Sequence, residues 1–330
     1  KFSVLKTSGP NNTPIGIAMT ILQRLKPHHS IFVAEMGAYK RGEIQELCSI
    51  ARPKIGVLTA VSYQHLSLFG SFEDTMAAKY ELIESLPKDG TALFNGNNEN
   101  SRLLYERVEK GKKKYLYYVG KENDVKADIF ATDVVVRRDG LEFDVILGRR
   151  RFHIVSSLLG KHNVEDLLPG IFLGRKLGMS EREIQDAVAS IRPLPMTIKP
   201  VRSRTGALFI DDTFNANPQA LAAALEYLQV HRGKRILILQ PMIELDREAA
   251  REHYEAGKLS ARICDEIFLT NDNFAVDFIK GAKESQKNVK IHVSSISEIE
   301  KELLKSADSD TIVLFEGKEA GLVLRRLRVI

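Results

Sequence analysis

The sequence predicts an α/β protein of two domains built on mostly parallel sheets. Short apolar runs end in a carboxylate or an amide, as in "SIFVAEMGA" (30–38), "TALFNGN" (91–97) and "ALFIDD" (207–212). Segments with helical spacing lie between such runs, as in "FEDTMAAKYELIESL" (72–86). From residue 207 to residue 317 the alternation of the two is regular. Near-continuous apolar runs suit strands covered on both faces, and intervening helices suit parallel crossovers.

Taken in order, residues 30–38, 55–62 and 91–97 read as strands and 72–86 as a helix. The chain then turns β-rich over 113–120 and 128–159, with a "RDG" turn near residue 139, which predicts an antiparallel flank. Residues 162–178 and 180–191 return to helix, and Ser180 followed by Glu183 is a capping box. "RPLPMTIKP" (192–200) holds three prolines and reads as the boundary between domains 1–194 and 195–330. Beyond it, strands are expected at 207–211, 235–240, 266–270, 290–294 and 311–317. The helices between them are expected at 218–230, 246–262, 273–285 and 296–307. No internal repeat or low-complexity segment interrupts the pattern.

With 330 residues, 44% hydrophobic and 28% charged, the chain can bury ample cores without staples. Its two cysteines, Cys48 and Cys264, have neither metal-ligand spacing nor a disulfide framework, which fits a reducing, cytoplasmic compartment. No stretch approaches the roughly 20 apolar residues that span a bilayer, and no signal peptide is visible. The first residue is Lys1, so a longer parent polypeptide is expected. The net charge of +5 gathers in "KGKKKY" (110–115), "GRRRF" (148–152) and "RRLRVI" (325–330). None of these interleaves aromatics as a nucleic-acid module does, and phosphorylated ligands account for the balance equally well. Neither a nucleic-acid partner nor a membrane segment is therefore expected.

The densest chemistry is "DDTFNANP" (211–218). Ligands of open α/β sheets sit beyond the carboxyl ends of strands, where Asp211 and Asp212 fall. Asn217 can cap the next helix and Pro218 suits its first turn. Capping does not require two adjacent carboxylates. One of them is free to accept from a ribose or to hold backbone donors. The residues alone leave both the polar-turn and the ligand-contact readings open.

"DDTFNANP" resembles the motif that opens the C-terminal domain of Mur ligases, the enzymes that build the peptide of the peptidoglycan precursor. The resemblance is nearest to the branch that adds D-alanyl-D-alanine. "NNTPIGIAMTIL" (11–22), "EMGAYKRGEIQEL" (35–47), "TAVSYQHLSLFGSFEDTMAAKYELI" (59–83), "GKHNVEDLL" (160–168) and "MIELDREAAREHYEAGK" (242–258) resemble that branch in the same order. The resemblance implies a P-loop-NTPase-like central domain followed by a Rossmann-like C-terminal domain. It implies an ATP-dependent, Mg²⁺-dependent ligase acting through an acyl phosphate. The partners would be a nucleotide-linked peptide precursor and an amino acid or dipeptide. By resemblance Glu35 and His65 are metal-site residues, and Lys79 is a lysine that takes up CO₂ as a carbamate. Asn163 would meet the nucleotide base and Asp212, beside Asp211, the ribose. Asn11, Asn12, Asn215, Asn217 and His253 fall on the substrate side.

The sequence also departs from that family. No Gly-Lys pair in it is followed by Ser or Thr, so the glycine-rich phosphate loop of the family is missing from these residues. It is expected upstream of Lys1 or on another chain. Ala60, Asp166 and Thr197 stand where asparagine, asparagine and arginine are usual. "NGNN" (95–98) lacks an acidic pair, and Gln240, Pro241 and Asp246 replace small or acidic residues. "FEGKEAG" (315–321) replaces a K-G-S-R-like loop expected to hold the incoming amino acid. Two alternatives to the D-alanyl-D-alanine ligase therefore stand: a catalytically degenerate binding or scaffold protein, and a ligase for another amino acid.

Overall fold

The computed structural model of the chain describes residues 1–9, 11–61, 71–122, 124–243, 245–285 and 287–329. The chain divides into two compact units. The first comprises Lys1–Thr132, Asp144–Phe152 and Val164–Ile184. The second comprises Asp133–Phe143, His153–Asn163 and Gln185–Ile330.

In the first unit, β1 (Val4–Lys6) pairs in parallel with β2 (Ile31–Val33), and α1 (Pro14–Arg24) connects them. Thr13 caps α1 by accepting from the Gly16 amide at 3.2 Å, and Pro14 fills its first position. Helix α2 (Glu43–Ala51) starts at Gly42, which has no side chain to cap it. Glu81 of α3 (Phe72–Glu84) takes that role from a distance. Its carboxylate accepts from the amides of Gly42 at 2.6 Å and Gln45 at 3.1 Å. A carboxylate at a helix N-terminus satisfies orphan donors and complements the dipole. The two helices share a small core with α1 built on Ile17, Ile44, Leu47 and Ala78.

A separate sheet runs in the order β3 (Ile55–Leu58), β4 (Thr91–Asn95), β5 (Lys113–Val119), β6 (Ile129–Val136), β7 (Leu141–Leu147), β8 (Arg150–Ser156). Its first four strands are parallel. The antiparallel flank expected from residue 113 therefore begins later, after β6. The nine residues 120–128 carry the chain back so that Tyr117 aligns with Ile129. The Asp128 carboxylate fixes that return by accepting from the Leu116 amide at 2.8 Å. Short turns then join β6 to β7 and β7 to β8, which only antiparallel neighbours permit. Helices α4 (Glu99–Glu106), α5 (His162–Lys176) and α6 (Glu181–Ser190) complete this stretch. The capping box is present: the Ser180 amide donates to Glu183 at 2.7 Å, and the Glu183 amide donates to the Ser180 hydroxyl at 3.2 Å.

The second unit holds five parallel strands: β10 (Leu208–Asp212), β11 (Lys234–Leu239), β12 (Glu266–Leu269), β13 (Lys290–Val293) and β14 (Thr311–Glu316). A sixth, β9 (Lys199–Arg202), pairs antiparallel with β10 at the sheet edge. The sequence places 199–200 in a linker because of its prolines, but an edge strand tolerates Pro200. The order β13-β12-β11-β14-β10-β9 sets the last strand between the first two of the parallel set. Alternate residues feed two cores. Ile210, Leu237, Leu239, Ile312 and Leu314 pack under α7 (Pro218–Leu228) and α8 (Ala249–Ile263). Phe209, Ile236, Ile238, Val313 and Phe315 pack with α10 (Ile296–Ser306) and α11 (Lys318–Val329). Helix α11 was not expected, because "FEGKEAG" reads as loop. Gly317, at φ +90, ends the strand in a left-handed residue and lets a helix start at once.

Helices α8 and α9 (Ala275–Ala282) cross at two glycines. A Cβ at Gly257 would collide with the Phe278 carbonyl oxygen, and one at Gly281 with that of Tyr254. Replacing Gly257→Ala gains helix propensity of about 1 kcal/mol but forces the backbones apart. A net loss of about 1–3 kcal/mol is expected, read as a lower urea midpoint at unchanged slope. An unchanged midpoint would refute the close-crossing account.

Candidate functional site

Strand β10 delivers Asp211 and Asp212 to the carboxyl end of the second unit's sheet, both nearly buried at 4% and 7% exposure. Successive strand residues point to opposite faces. Asp212 follows Ile210 toward α7, and Asp211 follows Phe209 to the other side. The Thr213 hydroxyl donates to Asp211 Oδ1 at 2.7 Å. Asp212 Oδ1 accepts from the Ile198 amide at 3.2 Å, and its carbonyl accepts from the Gly317 amide at 3.3 Å. Burial is the main force pushing the Asp212 carboxyl up to about 6; the Ile198 amide and Glu316 oppose it, and Asp211 adds to it.

These bonds hold the preceding linker. Besides the Ile198 contact, the Phe214 amide donates to the Met196 carbonyl at 3.2 Å. Met196 and Ile198 both have positive φ, +61 and +37. Such backbone costs about 1–3 kcal/mol per residue and persists only where surroundings enforce it. Thr197 between them donates to the Leu194 carbonyl at 2.9 Å. Asn217 caps α7, its Oδ1 accepting from the Ala220 amide at 2.9 Å, so its side-chain oxygen has a structural task. Asn215 and Phe214 are exposed beside the buried carboxylates.

His253 is almost fully enclosed, stacked on Phe274 with ring centroids 4.7 Å apart. Its Nε2 accepts from the Met242 amide at 2.9 Å, and its Nδ1 lies 2.7 Å from the Ala249 carbonyl. That pairing assigns the proton to Nδ1. Burial lowers its pKa, which keeps the ring neutral. Both ring nitrogens are engaged by backbone, so His253 orders the turn after β11 and offers no free ring nitrogen.

In the first unit, Glu35 lies two residues beyond the end of β2. Its amide donates to the Thr7 hydroxyl at 3.1 Å, and its Oε1 accepts from Asn12 Nδ2 at 3.3 Å. Gly37 lies against Asn12, and Gly16 lies against the Asn11 backbone. Asn12 and Glu35 thus come together as a pair. Lys79 is half-buried in α3, and burial lowers its pKa. Among the described residues no hydrogen bond or ion pair engages it. Its neighbour Ala78 shares a core with Ala34, Met36 and Ala38, which flank Glu35. His65 lies outside the described residues. Among those described, no three His, Cys, Asp or Glu side chains converge as a metal cluster.

Asn163 opens α5 with its Nδ2 donating to the Leu159 carbonyl at 2.7 Å. The "NGNN" asparagines have structural work. Asn98 Oδ1 accepts from the amides of Ser101 at 2.8 Å and Val61 at 3.2 Å, and beyond the motif Asn100 Nδ2 donates to the Val61 carbonyl at 3.0 Å. They fix the chain just beyond β3. Asp166 is exposed on α5. Two residues with evident roles, Glu81 and Glu316, were not singled out from sequence. Glu81 looks like an ordinary helix acid. Glu316 ends a strand whose preceding four residues, Ile312 to Phe315, are all apolar, and that position was the available signal.

Two family models together account for most of the chain: the Mur ligase middle domain over residues 1–174 and the Mur ligase glutamate ligase domain over residues 198–319. The chain belongs to the Mur ligase family. Among named proteins it is 30% identical over 256 residues to the UDP-N-acetylmuramoyl-tripeptide–D-alanyl-D-alanine ligase of Escherichia coli, covering 78% of this chain and 56% of that one. The chain thus spans little more than half the length of this relative. Its fold matches MurF of Acinetobacter baumannii with a TM-score of 0.86 at 22% identity, over 100% of this chain and 71% of that one. It matches MurF of Thermotoga maritima in complex with ADP with a TM-score of 0.83 at 24% identity, over 100% and 74%. No described helix is long and apolar enough to cross a membrane.

Replacing Asn217→Ala should cost about 1 kcal/mol of stability through the lost cap. Urea titration reads this directly, and a loss no greater than that of an exposed control such as Gln219→Ala would contradict the capping role.

Proposed function

We propose that this chain forms the nucleotide-handling and amine-handling parts of an ATP-dependent amide ligase. The reaction would join D-alanyl-D-alanine, or a similar amine, to a nucleotide-linked peptide precursor. The domains would be 1–194 and 195–330, a boundary that the two family matches support, and the setting would be the cytoplasm. One observation carries the reading above the others. Asp211 and Asp212 stand buried at the carboxyl end of a parallel strand, where α/β sheets take ligands, in a chain of Mur ligase descent.

The chemistry proceeds through an acyl phosphate. The acceptor carboxylate attacks the terminal phosphorus of ATP and ADP departs. The amine then attacks the acyl carbon, phosphate departs, and the amine proton is lost to give the amide. Juxtaposing these charged groups requires positioning and screening. Magnesium, when bound, would screen the phosphate oxygens. Glu35 fits that need, since among the described residues its carboxylate meets the Asn12 amide alone, and its backbone is pinned by Thr7. Lys79 fits as well, because a lysine whose pKa is lowered by burial holds more neutral amine to add CO₂. The resulting carbamate and His65 would complete the ligand set. Asp212 would accept from a ribose hydroxyl and Asn163 would offer its side-chain oxygen to the base. Asn11, Asn12 and Asn215 remain on the substrate side.

A second reading has a specific basis. The 330 residues contain no Gly-Lys-Ser or Gly-Lys-Thr, and Thr197 stands where the family places a phosphate-binding arginine. A binding or scaffold protein that kept the fold would have both features. The altered 315–321 segment, in turn, leaves the amine open to another amino acid.

Phosphate release from ATP separates these readings. Release is expected only when a UDP-linked tripeptide acceptor and D-alanyl-D-alanine are both present with Mg²⁺. Release with a different amine would relocate the specificity, and a protein that neither turns over nor binds Mg-ATP would be the scaffold. Equilibration with ¹³C-bicarbonate should give a carbamate carbon resonance that Lys79→Arg abolishes. A wild-type spectrum without that resonance, with Lys79→Arg fully active, would remove Lys79 from the site.

A further inference from the structure

Glu316 is the last residue of β14, aligned with Asp212 on β10 and with Leu239 on β11. Along β14, Ile312 and Leu314 face the core beneath α7 and α8. Glu316 continues that alternation, as Asp212 continues it from Ile210 and Leu239 from Leu237. The two carboxyl groups therefore stand side by side on one face, walled by a leucine. Glu316 has no exposed surface, and neither of its carboxyl oxygens meets a donor among the described residues. An ionised carboxylate so placed would lack water, cation and hydrogen bond together, which proteins avoid. The group that can partner it is the Asp212 carboxyl, and two carboxyl groups bond only when one of them carries a proton.

We propose that Glu316 and Asp212 form a carboxylic acid–carboxylate pair in which Glu316 keeps its proton at neutral pH and donates it to Asp212. Glu316 is then the positioning residue for Asp212. The functional part of this inference rests on the reading of Asp212 as the ribose-side acid; the pair itself does not. The proton is taken from solvent on folding, and no other bond changes. Burial and the field of Asp212 raise the Glu316 carboxyl well above its ordinary range, whereas Asp212 rises only to about 6 and is held down by the Ile198 amide. Glu316 is accordingly the proton keeper. Asp212 accepts from it on one side and from the Ile198 amide on the other.

Among the described residues, the charged neighbours do not supply an alternative partner. Asp211 shares the strand but projects to the opposite face, in register with Lys199. Glu319 at the start of α11 is bound by the Thr270 hydroxyl and Asn271 Nδ2, and Lys318 is exposed. Arg325 lies beside Gly321 and Thr213. On α7, Glu226 is exposed, and on α8, His253 is turned onto the Met242 amide.

The sign of the pH dependence follows. The unfolded chain releases this proton near the ordinary glutamate pKa of about 4.3, while the folded chain retains it. The contribution of the pair to stability is full below that value and falls as pH rises toward the folded pKa. The slope approaches tenfold in the unfolding constant per pH unit, the equivalent of about one proton.

Three readouts test the pair on the whole protein, comparing wild type with Glu316→Gln and Glu316→Leu. Glutamine donates the same hydrogen bond without titrating. Infrared spectra at neutral pH should show a buried protonated carboxyl C=O stretch in wild type that both variants lack. Exchange of the Ile198 amide should be preserved in Glu316→Gln and on the order of tenfold faster in Glu316→Leu. The stability of wild type relative to Glu316→Gln should fall as pH rises above about 5. A wild-type spectrum without the protonated band, or parallel pH–stability curves for wild type and Glu316→Gln, would overturn the pair. Should Glu316→Leu fail to fold, the comparison with Glu316→Gln still decides. Nucleotide affinity is measured separately: a wild-type protein that shows the band but binds no nucleotide would keep the pair and retire the ribose assignment.

Discussion

Strand β14 inserts between β10 and β11 and pairs in parallel with both, so that Asp212, Leu239 and Glu316 end at one level. Much of the second unit's candidate chemistry depends on that registration. It puts two acids together that lie 104 residues apart in sequence, and it brings the Gly317 amide onto the Asp212 carbonyl. A slip of one residue would turn every side chain of β14 to the other face. Leu314 and Phe315 would then exchange cores, so the apolar packing on both sides defends the position of the acids. The stability of the unit and the geometry of its polar end are one constraint.

The first unit solves a comparable problem by a different device. Its sheet strands β3 to β6 are held by backbone pairing, but β1 and β2 form a small sheet of their own, tied through helices. The Glu81 carboxylate caps α2 from α3, and the packing of Ala78 among Ala34, Met36 and Ala38 sets α3 beside the segment carrying Glu35. Lys79, next to Ala78 in sequence, acquires its half-buried environment from the same packing. The lowered pKa of that lysine is thus a consequence of helix placement, and no neighbouring cation is needed to explain it.

The α/β class, the five parallel strands of the second unit and most helices were legible in the sequence, because long periodic segments carry a strong signal. Asp211, Asp212 and Asn217 were legible too, since a strand end followed by an Asn-Pro cap is a local pattern. What escaped were features set by non-local neighbours. The parallel pairing of β5 with β6 depends on Asp128 reaching back to Leu116. Edge strand β9 depends on β10 being available beside Pro200. His253 could not be resolved from sequence, because its function is decided by where the Met242 amide falls eleven residues earlier. Glu316 reads in sequence as the polar end of a strand running into a substituted loop, and only strand order reveals that it faces Asp212.

The linker joins these observations. Met196 and Ile198 adopt left-handed backbone that a β-branched residue in particular resists. Two hydrogen bonds hold them there, one to the Asp212 carboxylate and one from the Phe214 amide. Strained backbone of this kind survives only while its surroundings over-determine it. A buried carboxylate whose second oxygen is already engaged is a better anchor than a free one, because it has fewer alternative orientations. The proton on Glu316 supplies that engagement without bringing in a cation whose charge would compete for Asp212. The same carboxylate is the group proposed to meet a ribose hydroxyl, so ligand and linker would draw on one pair of oxygens. Binding at Asp212 would then be felt by Ile198 through a single side chain, and the strain stored at Met196 and Ile198 gives that coupling something to release.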